Sequence, residues 1–519
     1  MSSAVLDRRP GSGPRPGDRP GHRSDIPRVH RWWALVILVL AVVLLSVDAT
    51  VLALAVPALS TALQPSAEQL LWIGDVYSFA LAGLLVTMGG VADRIGRRRL
   101  LVMGSTAFGV ASVLAAFAPS AEWLIAARVL LGVAGATLMP STLSIIRNLF
   151  EGRQRTTAIS VWSAAAAGGA ALGPLVGGGL LEHFWWGSVF LINVPIIVVI
   201  VVGALLLVPE SRDPRPGAFD LVSAGLSLAG VVPVVYAIKQ VAGHGPSLTA
   251  GAAALVGVLA LVAFVHRQRR LASPLIDVTL FSRPAFSGSI VSNLVSVFAF
   301  SGLLFFFSQY LQLVRGYSPL QAGLRELPIT LASIAVIVVA GRTARRFGHG
   351  RVIGAGLYLA AAGMAGLAAA EGASSYAWTA AALVGVGLGV GFSFTLSTDA
   401  VLSSVPRERA GSASAVSETA YELGVALGIA ILGSLLSVLY RSDLPDAAPA
   451  VRESLASASG TSGGAPAAAL ESFVHAMQVT SVTAAVLLLV AGTVAWRVIP
   501  SARVTPADRP ASRAGSGSW

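Results

Sequence analysis

Gly89-Gly-Val-Ala-Asp93-Arg94-Ile-Gly96-Arg97-Arg98-Arg99 is a short, arginine-crowded turn between two apolar stretches, and a weaker copy of it recurs as Gly341-Arg-Thr-Ala344-Arg345-Arg346-Phe-Gly348-His-Gly-Arg351. Gly89 and Ala92 correspond in offset to Gly341 and Ala344, and Arg345 stands where the first copy has Asp93. Each turn follows the second apolar stretch of a series of six. The chain therefore reads as two copies of a six-helix unit.

Composition fixes the medium in which those helices fold. A chain of 519 residues that is 55% hydrophobic and 12% charged, with mean hydropathy +0.76, is too apolar for a water-soluble globule and reads as a polytopic membrane protein. Windows long enough to cross ~30 Å of hydrocarbon number fourteen, the first at 32–57 and the last at 474–498. They fall into a basic tail (1–31), a six-helix bundle (32–208), a linker with two extra helices (209–284), a second six-helix bundle (285–498) and a polar tail (499–519). Both tails are too poor in apolar residues to bury a core and are expected to be disordered. The segment 441–473, rich in Ala, Ser and Gly, is expected to be a flexible outer loop. A cleaved signal peptide is the alternative for the first window, since Ala53-Leu54-Ala55 has small-residue character, but the apolar run is longer than a signal core and contains Asp48.

Basic residues provide an independent check. With the N-terminus in the cytoplasm, thirty of the 36 lysines and arginines fall in cytoplasmic segments, as the positive-inside rule requires. Lys239, Arg315, Arg325, Arg441 and Arg452 fall outside, and Arg128 alone lies within a span. The result is an all-α integral membrane protein with fourteen transmembrane helices in a 6 + 2 + 6 order, both termini cytoplasmic. The net charge of +11 is read as cytoplasmic anchoring to anionic lipid headgroups, not nucleic-acid binding. With no cysteine the chain has no disulfide and no thiolate chemistry. No phosphate-binding loop for ATP, metal-ligand spacing or catalytic constellation is present, so an enzyme and a metal cofactor are both unexpected.

Acids inside apolar runs carry the functional signal. In Gly411-Ser-Ala-Ser-Ala-Val-Ser-Glu418-Thr-Ala-Tyr421-Glu422-Leu-Gly424-Val-Ala-Leu-Gly428, the two glutamates are i and i+4 on one helical face, about 6 Å apart along the axis. Gly424 and Gly428 give the opposite face a small-residue seam for another helix. Burial and mutual repulsion work against both carboxyls being ionised at once, so the pair titrates as a unit that holds protons or an organic cation, not both. Asp48 lies well inside the first span, and Asp75 lies one short turn into the second, as a site residue or as an interfacial acid. Arg128 needs a partner or water, because a guanidinium within a span costs about 2.5–3.5 kcal/mol on insertion scales. Tyr77 and Tyr421, which adjoin acids, are the aromatic candidates for cation-π contact. Asp399 is set aside as near the cytoplasmic surface, and Glu326 as an ion pair with its neighbour Arg325. No titratable group is expected deep in the two extra helices.

Several motifs in order resemble a known family. The Gly89–Arg98 turn looks like the loop signature of the major facilitator superfamily, and Leu124-Ile-Ala-Ala-Arg128-Val-Leu-Leu-Gly132 is similar to its fourth-helix motif, with Leu131 where many members have glutamine. Gly169-Ala-Ala-Leu-Gly173-Pro174-Leu-Val-Gly177-Gly178 resembles the fifth-helix motif of its antiporters, and Asp48-Ala-Thr50-Val-Leu-Ala-Leu-Ala-Val-Pro57 the first-helix motif of its fourteen-helix drug:proton antiporters. Leu71-Trp72-Ile-Gly-Asp75-Val-Tyr77-Ser and Glu418-Thr-Ala-Tyr421-Glu422-Leu-Gly look most like QacA-like quaternary ammonium efflux pumps.

The resemblance spans 32–498 and implies a major facilitator fold in the plasma (inner) membrane. It implies a monomer driven by the proton motive force without a cofactor, and export of lipophilic cationic drugs in exchange for protons. Asp48, Asp75, Glu418 and Glu422 with Tyr77 and Tyr421 would form the proton and substrate site. Arg128, Asp93, Arg94 and Arg97 would serve relay and gating, with Asp93 pairing to basic groups or a helix N-terminus in one access state. Gly169, Gly173, Pro174, Gly177 and Gly178 would pack a helix seam; tight packing alone is the plainer reading of most of these glycines. A dedicated exporter of one antibiotic or metabolite is the alternative within transport, and a non-transporting sensor or scaffold the alternative outside it.

Overall fold

The computed structural model describes residues 28–500 apart from 213–219, 272–273, 275, 277, 373–374, 406–409, 445 and 460–465. The first half comprises α1 (Arg28–Leu63), α2 (Ala67–Ile95), α3 (Arg97–Ala116), α4 (Ala121–Leu149), α5 (Gly152–His183), the single turn α6 (Ser188–Leu191) and α7 (Asn193–Leu207). Next come α8 (Leu221–His244) and α9 (Leu248–Arg270). The second half comprises α10 (Pro284–Gln309), continued by a π-turn to Val314, then α11 (Pro319–Phe347), α12 (His349–Ala370), α13 (Tyr376–Ser403) and α14 (Ala410–Ser442). Two short helices, α15 (Pro449–Glu453) and α16 (Leu455–Ser459), precede α17 (Ala467–Val498).

Thirteen of these segments are long and apolar enough to cross a membrane among the described residues. α2, equally long, runs among them and carries Glu68 and Asp75 near its start. The expected tails 1–31 and 499–519 lie outside the described residues, except that Arg28 to Arg31 already belong to α1 and Ile499, which is buried, and Pro500 follow directly on α17.

The internal repeat is carried by local chemistry at both ends of α2 and α11. Each starts with a capping box, Ser66 with Gln69 and Ser318 with Gln321, in which the serine oxygen accepts from the third backbone N–H and the glutamine side chain accepts the serine N–H. Each ends at a glycine in the left-handed region, Gly96 at φ 113° and Gly348 at φ 87°, from which the next helix restarts without a break. A side chain there would be strained, so the glycine is required by the turn.

Packing repeats as well. α1 lies on α5 and α7 as α10 lies on α14 and α17; α2 lies on α4 as α11 lies on α13; α3 lies on α4 and α7 as α12 lies on α13 and α17. α8 and α9 pair with each other, and α8 packs on α2 and α14. The two bundles meet through α5 with α11 and α2 with α14. The close approaches fall in the half of each helix remote from the arginine turns. Gly178 abuts the Leu320 backbone, Gly323 abuts the Pro174 carbonyl, and Gly74 abuts Phe305 and Ile429. Gln312 Nε2 adds a hydrogen bond of 3.0 Å to the Leu54 carbonyl.

One expectation fails at this end. The segment 441–473 is not a bare flexible loop: α15 and α16 fold back on the bundle, Leu455 and Ala458 are buried, and the Tyr440 hydroxyl donates to the Val451 carbonyl at 2.8 Å. The leucine and valine spaced through the serines and alanines supply an apolar face that the loop reading overlooked, and α16 reaches α1 across the two halves. Within the segment, 460–465 lie outside the described residues.

Candidate functional site

The first bundle holds a buried polar network centred on α4. Arg128, 2% exposed, places Nη1 3.5 Å from Asp48 Oδ2 of α1. It donates from Nε to the Ile73 carbonyl at 3.1 Å and from Nη2 to the Gly74 carbonyl at 3.5 Å, and its guanidinium lies 4.7 Å from the Tyr77 ring centroid. Gly132 lets α4 approach the Tyr77 main chain closely enough for this reach. On the other side of Asp48, Asn193 Nδ2 donates to Oδ1 at 2.8 Å and to Ser112 Oγ at 3.3 Å. A lone asparagine in the apolar run of α7 was the sequence signal for this partner. Five helices thus join one network around the Asp48 carboxylate, whose charge is balanced in place by Arg128.

α14 approaches this network across the bundle interface. Glu422 is buried and Glu418 half-buried. Glu422 faces Ser78 of α2 and lies within electrostatic reach of Arg128 and Tyr77. Neither glutamate has a basic side chain at ion-pair distance among the described residues. Tyr421 sets its ring edge-on to Phe394 of α13, with centroids 5.6 Å apart. The opposite face of α14 is a seam: Gly424 and Gly428 abut the Leu294 and Phe298 backbones of α10, which orients both carboxyls away from α10 and towards α2.

Asp75 does not reach solvent at the end of its helix. It is fully buried, and Lys239 of α8 donates to its Oδ1 at 2.9 Å while lying 2.7 Å from Oδ2. The same ammonium sits 3.7 Å from the Trp72 ring centroid. Lys239, expected in an outer connection, lies within α8, and the extra helices, expected to carry no titratable group deep in the span, bring a buried ammonium against α2. The α8 run extends past Lys239 to His244, and a long aliphatic stem lets the charged end reach inward along an apolar surface.

Glu326 likewise departs from expectation. It is 2% exposed and turned away from Arg325, whose guanidinium stacks 3.7 Å from the Tyr317 centroid. Adjacent residues on a helix point in different directions, so sequence neighbours do not make an ion pair. Glu371, which the sequence reading passed over at the end of α12, is equally buried, with Oε1 accepting from Ser481 at 3.2 Å. Asp399 does lie at the exposed end of α13, 2.8 Å from His349 Nε2.

In the arginine turn, the side chain of Asp93 lies outside the described residues. The N-terminus of α3 is capped by Glu210, which accepts from the Arg98 and Arg99 backbone N–H groups at 3.2 Å each and lies 3.8 Å from both of their Nε atoms. Arg94 lies in the last turn of α2, and the Arg97 N–H donates to the Ser211 carbonyl at 2.9 Å. A carboxylate at a helix N-terminus meets the unpaired N–H groups and the positive end of the dipole.

Comparison with known proteins decides the family. The sequence profile of the Major Facilitator Superfamily matches residues 38–429. The chain belongs to that superfamily. It is 46% identical over 479 residues to the multidrug efflux pump LfrA of Mycolicibacterium smegmatis, covering 89% of this chain and 95% of that one. It is 38% identical over 436 residues to the methyl viologen resistance protein SmvA of Salmonella typhimurium, covering 83% and 88%. Among solved structures, a bacterial homolog of the human lysosomal transporter Spinster superposes with a TM-score of 0.64 at 18% identity, covering 92% of this chain and 99% of that one; the likeness is one of fold. The chain is a multi-pass inner-membrane transporter with efflux-pump relatives, and it is not an enzyme.

Within this superfamily fold the glycine ridge of α5 divides its work between two partners. Gly169, Gly173 and Gly177 face α1, against Val43 and Ser46, Thr50, and Val51 respectively. Gly178 and Pro174 face α11 of the other bundle. The transporter therefore has one side of α5 locked within its own half and the adjacent side closing the interface between halves. What the interior can do chemically follows from its charges: two acids are held by fixed cations, and two on α14 are not.

Proposed function

We propose that this transporter is a proton-driven antiporter that exports lipophilic organic cations, such as quaternary ammonium compounds, dyes and biguanides, by alternating access. In this reading α2 counts as a span beside the other thirteen, giving fourteen helices in the 6 + 2 + 6 order with both termini cytoplasmic. The observation that carries it is the Glu418–Glu422 face of α14, acidic, with Glu422 buried and Glu418 half-buried, and without a basic side chain at ion-pair distance among the described residues, at the junction of the two bundles. An unpaired carboxylate in such a place is costly unless a proton or a cation neutralises it. Occupation by one displaces the other, and that competition is the thermodynamic content of antiport.

Glu422 is the centre of the exchange, with Glu418 one turn nearer the arginine-bearing end as its entry-side partner. Tyr421 and Tyr77 offer ring faces to a flat cation. Asp48 with Arg128 supplies a fixed wall opposite, and Asp75 a neutralised one. Contact between the bundles at the end remote from the arginine turns supports a state closed to the outside, in which the acids await a cytoplasmic cation. Two carboxyls admit up to two protons; exchange of two protons for one monovalent cation moves one net charge and draws about 2.3 kcal/mol from each 100 mV of potential.

The deciding experiment is export of ethidium and of a dicationic biguanide from cells expressing the chain, with and without a protonophore. Loss of export on adding the protonophore is expected. Export indifferent to the protonophore would remove proton coupling, and failure to export either cation would remove the substrate class.

A further inference from the structure

We infer that Lys239 is a specificity-determining residue of the cation pathway: as a tethered ammonium it occupies the Asp75 carboxylate, withdraws that acid from exchange, and leaves Glu418 and Glu422 as the carboxylates open to substrate. The inference rests on the reading that the α14 acids receive organic cations.

The geometry is that of a filled cation site. Lys239 Nζ contacts both oxygens of Asp75, at 2.9 and 2.7 Å, and is covered by the Trp72 ring at 3.7 Å. A carboxylate beside an aromatic face is the pair of groups that would bind an alkylammonium ion. Here the chain supplies that ion from its own α8, and both partners are buried, Asp75 at 0% and Lys239 at 2% exposure.

Position makes the occupancy matter. Asp75 and Ser78 are i and i+3 on α2, about 4.5 Å apart along the axis, and Ser78 faces Glu422. Uncompensated, Asp75 would add its charge to the surroundings of Glu422. Stability alone gives little reason for a charged pair here, since replacing a buried pair by apolar side chains of similar volume is often neutral or stabilising. α8 is also seated where such a role requires it: Val235 packs with Phe79 of α2 and with Ala426 and Ala430 of α14, and Gly83 of α2 admits Leu228. The extra helix pair thus sets the charge of the pathway wall.

The test is equilibrium binding of a monocation, tetraphenylphosphonium, and a dication, methyl viologen, to the purified full chain in detergent at fixed pH and salt, with no gradient. Lys239→Met exposes the Asp75 charge and is expected to raise the dication-to-monocation affinity ratio about tenfold. Asp75→Asn leaves the ammonium unpaired and is expected to lower that ratio by about tenfold. The double variant, neutral at both positions, is expected to return to within about twofold of the parent ratio.

A ratio unmoved in the single variants, or a double variant that stays far from the parent, overturns the inference and leaves the pair a structural one. If Lys239→Met yields no folded protein, Asp75→Asn and the double variant decide by the same criteria. Parent protein that binds neither cation overturns the export reading itself, whereas parent protein that binds both, with a ratio insensitive to these changes, overturns the role of Lys239 alone.

Discussion

The two bundles have the same helix packing and opposite charge economies. In the first, the buried acids are paired: Asp48 with Arg128, and Asp75 with Lys239 contributed by the adjoining α8. In the second, Glu326, Glu371 and Glu422 are buried without a basic partner at ion-pair distance among the described residues. A paired charge is part of the architecture, because removing either partner strands the other in a medium that cannot solvate it. An unpaired carboxyl has no such obligation. It can be neutral at one stage of a cycle and ionised at another, provided that something cationic arrives. In the antiport proposed above, the first half is the rigid one and the second the exchanging one, a distinction of chemistry that their common fold conceals.

The strongest way to break this comparison is to neutralise one acid on each side. Glu422→Gln is expected to abolish efflux of a dicationic biguanide while membrane levels of the protein persist; efflux at the parent rate would remove Glu422 from the site. Asp48→Asn is expected to act on the fold first, because Arg128 loses its counter-ion: about 3–5 kcal/mol of destabilisation, visible as loss of folded protein in detergent thermal unfolding. Arg128→Met combined with Asp48→Asn should recover most of that loss, and failure to recover it would mean that the carbonyl contacts of Arg128, not its charge, hold the bundle.

A smaller effect is expected at the seam. Gly178→Val puts a side chain within 2.7 Å of the Leu320 Cα, an overpacking cost of about 1–3 kcal/mol felt only when the bundles close. A reporter cysteine placed at the seam should be labelled faster in this variant; the parent chain has no cysteine to interfere. Smallest of all, Glu371→Gln is expected to change thermal stability by less than about 1 kcal/mol, since no counter-ion is stranded. A loss as large as that of Asp48→Asn would show that the second bundle also depends on a charge pair.

The sequence made the helical periodicity and the repeat legible because both rest on local rules. Glycine and alanine at equal offsets in the two arginine turns are visible in the chain, and the structure gives Gly96 and Gly348 the same left-handed geometry. Glu418 and Glu422 were legible for a similar reason: helical spacing alone puts them on one face. Partners were harder to read. Lys239 looks like an ordinary helix-end residue until α8 is laid against α2, and its partner Asp75 is 164 residues away. Asn193 and Glu371 are single polar residues whose direction depends on helix rotation, which sequence spacing does not set. Glu326 and Arg325 are adjacent along the chain but not in space, so their neighbourhood in sequence does not give their partners.

The clamp of Arg128 on the Ile73 and Gly74 carbonyls has a mechanical consequence. It ties α4 to the main chain of α2 immediately before Asp75, and the Asp75–Lys239 contact extends that tie to α8. The hold of α8 on α14 is of another kind, apolar side chains in contact, Val235 and Val231 with Ala426, Ala430, Leu423 and Leu427. In the alternating access proposed above, the additional pair is therefore tied by an ion pair to the first bundle and by apolar contact to the helix that carries Glu418 and Glu422.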